Sequence, residues 1–355
     1  MPSYISGQLP GIGGQLRRYP QDFRVQEIPA YPLCGQGEHL FIEITKEGIT
    51  TQAAISELAQ RLGIPASSIG YAGLKDRQAM TTQRLSLPAC AWPGATSDLE
   101  PKAWPLLPDL SFQVEILGLH NNKLKTGHLQ GNRFAIRVRQ ANPRWPQLVP
   151  PILQALRRHG MANFYGPQRF GRQGDNALKG LEGLRRGYLP GPKWRKWLLI
   201  SALQSQLFNR WLEERIADGL FEKAIIGDVF GKLPQGGIFY SLEPQAEQPR
   251  LEAFQISPMG PIFGYKMFKA QGEALEREER ILKEADIKLE EFRALKAEGS
   301  RRRARLPVED LEICDLEGDP LFTFTLPAGS YASVLVGEFM KSDLAPSEED
   351  EVDSE

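Results

Sequence analysis

Only three cysteines and four histidines occur in the 355 residues, and neither type is spaced for metal or redox chemistry. Cys34, Cys90 and Cys314 form no C-x-x-C pair, which argues against a disulfide framework and a zinc cluster. His39, His120, His128 and His159 show no H-x-x-x-H or H-x-H spacing, so no metal centre is expected. Long apolar runs are missing too. Nothing approaches the roughly 20 residues of a membrane helix, and M-P-S-Y-I-S-G-Q-L-P-G at the N-terminus lacks a signal-peptide core. The glycines of residues 7–14 precede no G-K-[ST], which excludes a P-loop. These absences predict a protein of the reducing cytoplasm with no membrane or metal partner.

Net charge is almost absent as well, at −1 overall. Six acids and no base lie in residues 348–355, however, and the formal charge becomes +5 once those six are set aside. A like-charged terminal block of this kind is usually disordered, so the expected folded body is mildly basic. Hydrophobic residues make up 41% and charged residues 25% of the chain, as in ordinary globular proteins. The length favours two domains.

The stretch Ile69–Leu87 (I-G-Y-A-G-L-K-D-R-Q-A-M-T-T-Q-R-L-S-L) is the strongest candidate for chemistry. Asp76 stands between Lys75 and Arg77, behind Gly70 and Gly73, which tolerate close approach by a ligand. A carboxylate flanked by cations is held ionised, which suits a nucleophile or a base. A turn carrying a solvated ion cluster has the same composition, and these three residues alone do not decide between the two.

The longer string does. G-Y-A-G-L-K-D-R-Q-A-M-T-T-Q resembles the G-x-K-D-(x)2-A-x-T-x-Q signature of the TruD family of pseudouridine synthases, in which the matching Asp is catalytic. Three further segments are similar to family motifs in the same order. They are the P-x-D-F-x-V-x-E opening at Pro20–Glu27, the G-N-x-F of Gly131, Asn132 and Phe134, and N-F-Y-G-P-Q-R-F-G at Asn163–Gly171. The ending L-P-A-G-S-Y-A-S at 326–333 is similar to a fourth. The resemblance implies that Asp76 is catalytic and that Phe134, Asn132, Arg17, Lys75, Gln83 and Arg169 contact substrate, with Thr81 or Thr82 another motif position. Arg17 or Arg18 stands where bacterial relatives carry a lysine near the aspartate. Arg17, or Lys75, is expected to hold Asp76 charged. It further implies conversion of a uridine in tRNA to pseudouridine, at position 13 of the D-arm, without a cofactor.

Periodicity places the motifs on elements. Phe23 and Val25, His39–Thr45, Gln83–Leu87, residues 112–116 and Gly131–Arg139 alternate as strands. In the last of these, Arg133, Arg137 and Arg139 form a basic face suited to phosphates. A helix from Thr50 or Thr51 to Leu62 ends at Gly63. Residues 88–108, rich in proline and tryptophan, read as a connection. Helices are predicted at Ile152–His159, Asp175–Leu184, Trp194–Ile216 (Trp197, Ile200, Leu203, Leu207 and Trp211 inward) and 273–298, with short strands near 227–233 and 238–241. Arg301, Arg302, Arg303 and Arg305 form the densest cationic run, expected to draw phosphates. A hairpin at 311–326 and a final helix capped by Ser330 close the chain.

A strand-rich beginning and a terminal hairpin that bracket a helical middle predict one domain made of residues 1–161 and 308–345 around an insertion at 162–307, with an acidic tail at 346–355. The resemblance implies that the fold class is α+β, with a mixed, largely antiparallel catalytic sheet and an inserted α/β TRUD domain, and that the partner is tRNA; the chain is expected to act as a monomer. The competing readings are a non-catalytic RNA-binding protein and a small-molecule hydrolase with an aspartyl nucleophile. The hydrolase lacks a histidine or second carboxylate beside Asp76 in the sequence.

Overall fold

A computed structural model of the chain describes residues 3–95, 100–101, 104–171, 173–234 and 236–342. The acidic segment 348–355 lies outside them. Alternating sequences become strands where one side can be buried. The first half supplies β1 (Phe23–Pro29), β2 (His39–Glu47), β3 (Gly70–Tyr71), β4 (Met80–Pro88), β5 (Gln113–His120) and β6 (Leu129–Arg137), with α1 (Thr51–Leu62) and α2 (Trp145–His159) between or after them. The N-terminus of α1 is capped as its sequence demands: Thr50 Oγ1 accepts the Ala53 N–H, and Gly63 closes the helix at φ 65°.

The chain then leaves the sheet. It forms β7 (Met161–Ala162), α3 (Asn176–Arg186), α4 (Lys193–Ala217), β8 (Val229–Lys232), β9 (Ile238–Tyr240), α5 (Pro244–Glu252), β10 (Ile256–Ile262), α6 (Gly272–Glu284), α7 (Glu291–Ala294), β11 (Ser300–Arg303) and β12 (Arg305–Leu306). It returns as β13 (Glu312–Leu316), β14 (Asp319–Pro327) and α8 (Ala332–Met340). The eight-stranded sheet has the order β13-β14-β6-β1-β4-β2-β5, with β3 on β4. Its pairings are antiparallel except for β1 beside β4, where Arg24 stands opposite Met80. The fold is thus the mixed, largely antiparallel α+β class. At the exit and re-entry of the middle segment, β7 and β12 pair with Met161 opposite Leu306.

Strand register decides where the core lies. Val25 faces Phe134, Phe134 faces Phe324, Val25 faces Thr81, and Thr81 faces Lys46. Directly opposed residues share a face, so two apolar clusters sit on the same side of the sheet. One joins Phe23, Phe134 and Phe324 to α2 and α8 through Ile152, Leu156, Val336 and Phe339. The other joins Ile42, Ile44 and Leu85 to α1 through Ile55 and Leu58. Between them lies a polar seam of buried Glu27, Lys46, Thr81 and Gln83.

Several predicted elements change. Helix α2 begins at Trp145 rather than Ile152 and runs through Pro150 and Pro151. Trp145, Val149, Ile152 and Leu156 make one buried stripe at helical spacing, and that burial outweighs the bonds the prolines forgo. The charged helix expected over 273–298 breaks after α6, where Asp286 turns left-handed at φ 53°, a conformation Asp tolerates better than most residues. Pro258, Gly260 and Pro261 conceal β10 in the sequence. Helix α8 starts after Tyr331 without a side-chain cap, so Ser330 does not serve that role. In α4, Trp197 is exposed because the stripe facing the core begins at Leu199 and Ile200.

Candidate active site

The parallel pair β1 and β4 brings two lead-in segments to the same end of the sheet: Arg17 before β1 and Asp76 before β4. There Arg17 donates an Nη2–H to Asp76 Oδ2 at 2.7 Å. The Asp76 side chain keeps 46% of its surface open, whereas that of Arg17 keeps 11%. Arg17 adopts φ 57° and lays its guanidinium 4.3 Å over the Phe23 ring. The left-handed turn is unusual for arginine and lets the side chain double back onto β1.

The Asp76 loop is pinned from beneath by the polar seam. Lys46 is fully buried, and its Nζ donates to the carbonyls of Ile49 (2.7 Å), Asp76 (3.1 Å) and Lys75 (3.3 Å). Thr51 Oγ1 accepts the Lys75 N–H and donates to Gln83 Oε1, both at 2.9 Å, while Gln83 Nε2 donates to the Gly73 carbonyl at 3.2 Å. The Lys75 ammonium meets Glu27 Oε2 at 2.6 Å, with both side chains almost wholly buried. The Lys75 N–H and the carbonyls of Gly73, Lys75 and Asp76 thus all have buried partners, so the carboxylate of Asp76 is held at the open side of a braced loop.

Of the two cations expected to hold Asp76 charged, Arg17 is therefore the one that reaches it. Lys75 and Gln83 do not face an open site: their donors and acceptors are committed to Glu27, Thr51 and Gly73. In this arrangement they brace the loop, as a buried ammonium or amide needs internal partners. Thr81 is also buried, but its Oγ1 has no partner among the described residues, whereas Thr82 Oγ1 lies 3.0 Å from Thr45 Oγ1.

Phe134 lies beside the Arg17 shelf. It stacks on Phe324 with ring centroids 5.3 Å apart and meets Phe23 edge-on at 6.2 Å. Asn132 follows on the same face opposite Glu27, and its Oδ1 is buried without a partner among the described residues. Such an acceptor asks for a water or a ligand donor.

The middle segment contributes a wall. Arg302 packs its guanidinium 4.0 Å over the Tyr165 ring, donates to the Asn163 carbonyl at 3.0 Å, and reaches the Gly329 carbonyl at 2.8 Å. Asn209 clamps the backbone of Tyr165 on both sides. Tyr165 meets Tyr331 edge-on at 5.8 Å, and a Cβ at Gly166 would lie 3.0 Å from Tyr331 and Ser333, so a larger residue there would have to push these side chains back by a few tenths of an ångström. Arg169 donates to Ser205 Oγ at 3.2 Å. Burial pushes the Tyr331 phenol above its ordinary value; Arg169 and Arg302 oppose the rise, and Tyr165 and Asp76 add to it. Tyr331 is thus a neutral hydroxyl within the electrostatic range of both Arg169 and Asp76. Sequence reasoning assigns Tyr331 no role, although the L-P-A-G-S-Y-A-S segment that carries it is a motif match.

The arginine runs behave otherwise than expected. Arg301 pairs with Glu278, Arg302 is buried as described, and Arg305 donates to the His159 and Leu251 carbonyls and to Glu222 while lying 3.9 Å from the Phe254 ring. Burial pulls Arg302, Arg303 and Arg305 below the usual arginine value. On the β6 side, Arg137 is bound by Glu317 and Asp319, and Arg139 by Asp22. Guanidinium groups can be buried when their donors are satisfied, and here they rivet segments together. Arg133 remains exposed.

An aspartate presented by a pinned loop on a mixed, largely antiparallel sheet, with stacked aromatics and arginines around it, defines the pseudouridine-synthase class. The chain belongs to the tRNA pseudouridine synthase D (TruD) family, whose model matches residues 1–188 and 192–339. A tRNA pseudouridine synthase D from Anaeromyxobacter sp. (strain Fw109-5) is 45% identical, the match covering 98% of each chain. Its counterpart from a strain of Thermus thermophilus is 40% identical over 95% of this chain and 92% of its own. In fold, the chain resembles the crystal structure of a Methanosarcina mazei protein assigned to TruD, with TM-score 0.72, 24% identity and 96% of each chain covered.

Proposed function

We propose that this chain isomerises uridine to pseudouridine in tRNA, that Asp76 is the catalytic group, and that the target is uridine 13 of the D-arm. Family membership supports the tRNA activity. The assignment of Asp76 rests on one observation: in a loop whose backbone is braced from beneath, its carboxylate is half open and oriented by Arg17. The reaction breaks the C1′–N1 bond, turns the uracil, joins C5 to C1′, and transfers the C5 proton away while N1 gains one. Asp76 serves as nucleophile at C1′ or as base at C2′.

The target nucleotide must leave its stack, at a cost of a few kcal/mol. Phe134, the less buried ring of its stack with Phe324, is the aromatic we assign to meet the uracil, and the unpartnered Asn132 Oδ1 can accept a uracil N–H. Arg169 and the neutral Tyr331 supply donors for the ribose or phosphate from the wall. The unit spanning residues 162–307 acts as an insertion whose pairing ribbon, β7 with β12, closes it off. We place the enzyme in the cytoplasm as a monomer; no helix among the described residues is long and apolar enough to cross a membrane. Release of tritium from 5-tritiated uridine in a tRNA transcript, followed by mapping of pseudouridine along it, tests the activity and its position together. Pseudouridine appearing away from the D-arm would overturn the target assignment.

Arg17→Ala should lower kcat by roughly 10- to 150-fold, the worth of a charge-assisted hydrogen bond of about 1.5–3 kcal/mol, and Arg17→Lys should recover part of it. Equal rates for Arg17→Ala and wild type in single-turnover assays would show that Asp76 needs no orienting cation. Phe134→Leu keeps volume in the core but removes the ring. It is expected to lose most turnover while holding tRNA within about tenfold, roughly 1.4 kcal/mol, as read by filter binding beside the rate.

A further inference from the structure

The first two turns of α4 break the rules that stabilise a helix. Lys193, Arg195 and Lys196 lie in its first turn, where no acid is present, although the dipole there repels positive charge. Among the described residues, no carboxylate pairs with any of the three, while the arginines of the preceding helix, Arg185 and Arg186, do pair, with Asp286 and Glu182. Trp194 and Trp197, three residues apart and hence neighbours on the helix surface, are 46% and 48% exposed. Tyr188 before the helix is 60% exposed, with Lys196 Nζ 5.1 Å from its ring. From Leu199 onward the same helix is ordinary core, with Leu203, Leu207 and Trp211 buried.

Local choices that cost stability without an internal return mark a surface used by a partner. Three cations without a carboxylate, interleaved with three open rings, suit a polyanion whose units also have flat faces, which is RNA: the cations meet phosphates and the rings stack on unpaired bases. A bilayer is disfavoured because the rest of α4 is locked in the core and cannot lie in a membrane plane. The patch is also tied to the site. Trp197 is eight residues from Ser205, or about 12 Å along the axis, and Ser205 accepts the Arg169 hydrogen bond. We propose that Tyr188, Lys193, Trp194, Arg195, Lys196 and Trp197 form a second tRNA-binding surface, which takes a single-stranded or loop segment of the same tRNA whose uridine is placed at Asp76. This rests on tRNA being the substrate, and not on Asp76 being the catalytic group.

The test is filter binding of an unmodified tRNA transcript to the full chain across a salt series, beside kcat at saturating tRNA. Lys193→Ala/Arg195→Ala/Lys196→Ala should weaken binding at least tenfold and make log K against log salt shallower by about 2–3, at roughly 0.7–0.9 for each phosphate no longer neutralised. Trp194→Ala/Trp197→Ala should weaken binding roughly 30-fold or more with the slope unchanged, and Trp194→Phe/Trp197→Phe should restore most of it. All three variants keep the wild-type kcat and stay folded, and the triple alanine variant melts at or slightly above the wild-type temperature, because the cations it removes oppose the helix dipole. Asp76→Asn, by contrast, keeps wild-type binding, so failure of the Asp76 assignment is read separately. Wild-type affinity and salt slope in both alanine variants overturn the proposal, as does a fall in kcat with binding intact.

Discussion

Asp76→Asn should fold, bind tRNA within two- to threefold of wild type, and lose pseudouridine formation by roughly 10⁴-fold or more, as removal of a catalytic group does. The structure makes this a clean experiment. The ion pair with Arg17 is half open on the Asp76 side, and exposed pairs contribute only about 0–1 kcal/mol, so its loss leaves the fold nearly untouched. The loop backbone is meanwhile held by Lys46, Thr51 and Gln83. Tritium release, tRNA binding and a melting curve on one preparation check it. Turnover within tenfold of wild type would remove Asp76 from the chemistry and favour a non-catalytic role for the loop.

Lys75→Met should do the reverse. Its ammonium and the Glu27 carboxylate are both nearly inaccessible and 2.6 Å apart, so removing the lysine strands a buried charge, which costs about 3–5 kcal/mol. The urea midpoint should fall accordingly. Glu27→Leu added to Lys75→Met should recover much of the loss, because a buried ion pair replaced by apolar groups of similar volume is often close to neutral. Turnover in the single variant should fall less than in Asp76→Asn, since three other residues still hold the loop. A loss of stability below about 1 kcal/mol would mean that water reaches the pair.

The motif that carries Asp76 thus mixes two kinds of residue that look alike in sequence. Asp76 and Lys75 are adjacent and oppositely charged, and a string of letters offers no reason to send one outward and the other into the seam. The parity of the strands does. Glu27 falls on the same face as Val25 and Thr81, beneath the loop, and an ammonium at the end of a long side chain reaches it, whereas the shorter aspartate side chain stays at the rim. The arginine run 301–305 is the same lesson in a larger form. Its density suggests phosphates, yet Glu278, Glu222, Asn163 and several carbonyls absorb it, and all of these partners are distant in sequence.

What was legible in the chain alone was the class of sheet, the segments that enter and leave it, and the motif that carries the aspartate we propose as catalytic, because alternation, turn glycines and contiguous motifs are local properties of a sequence. What only the tertiary structure decided was which cation serves Asp76, which motif residues brace the loop from beneath, and which basic residues remain open to a polyanion. Those are questions of who faces whom across strands and segments, and they are settled by register and by the cost of leaving a buried charge unpaired, neither of which is written in neighbouring residues.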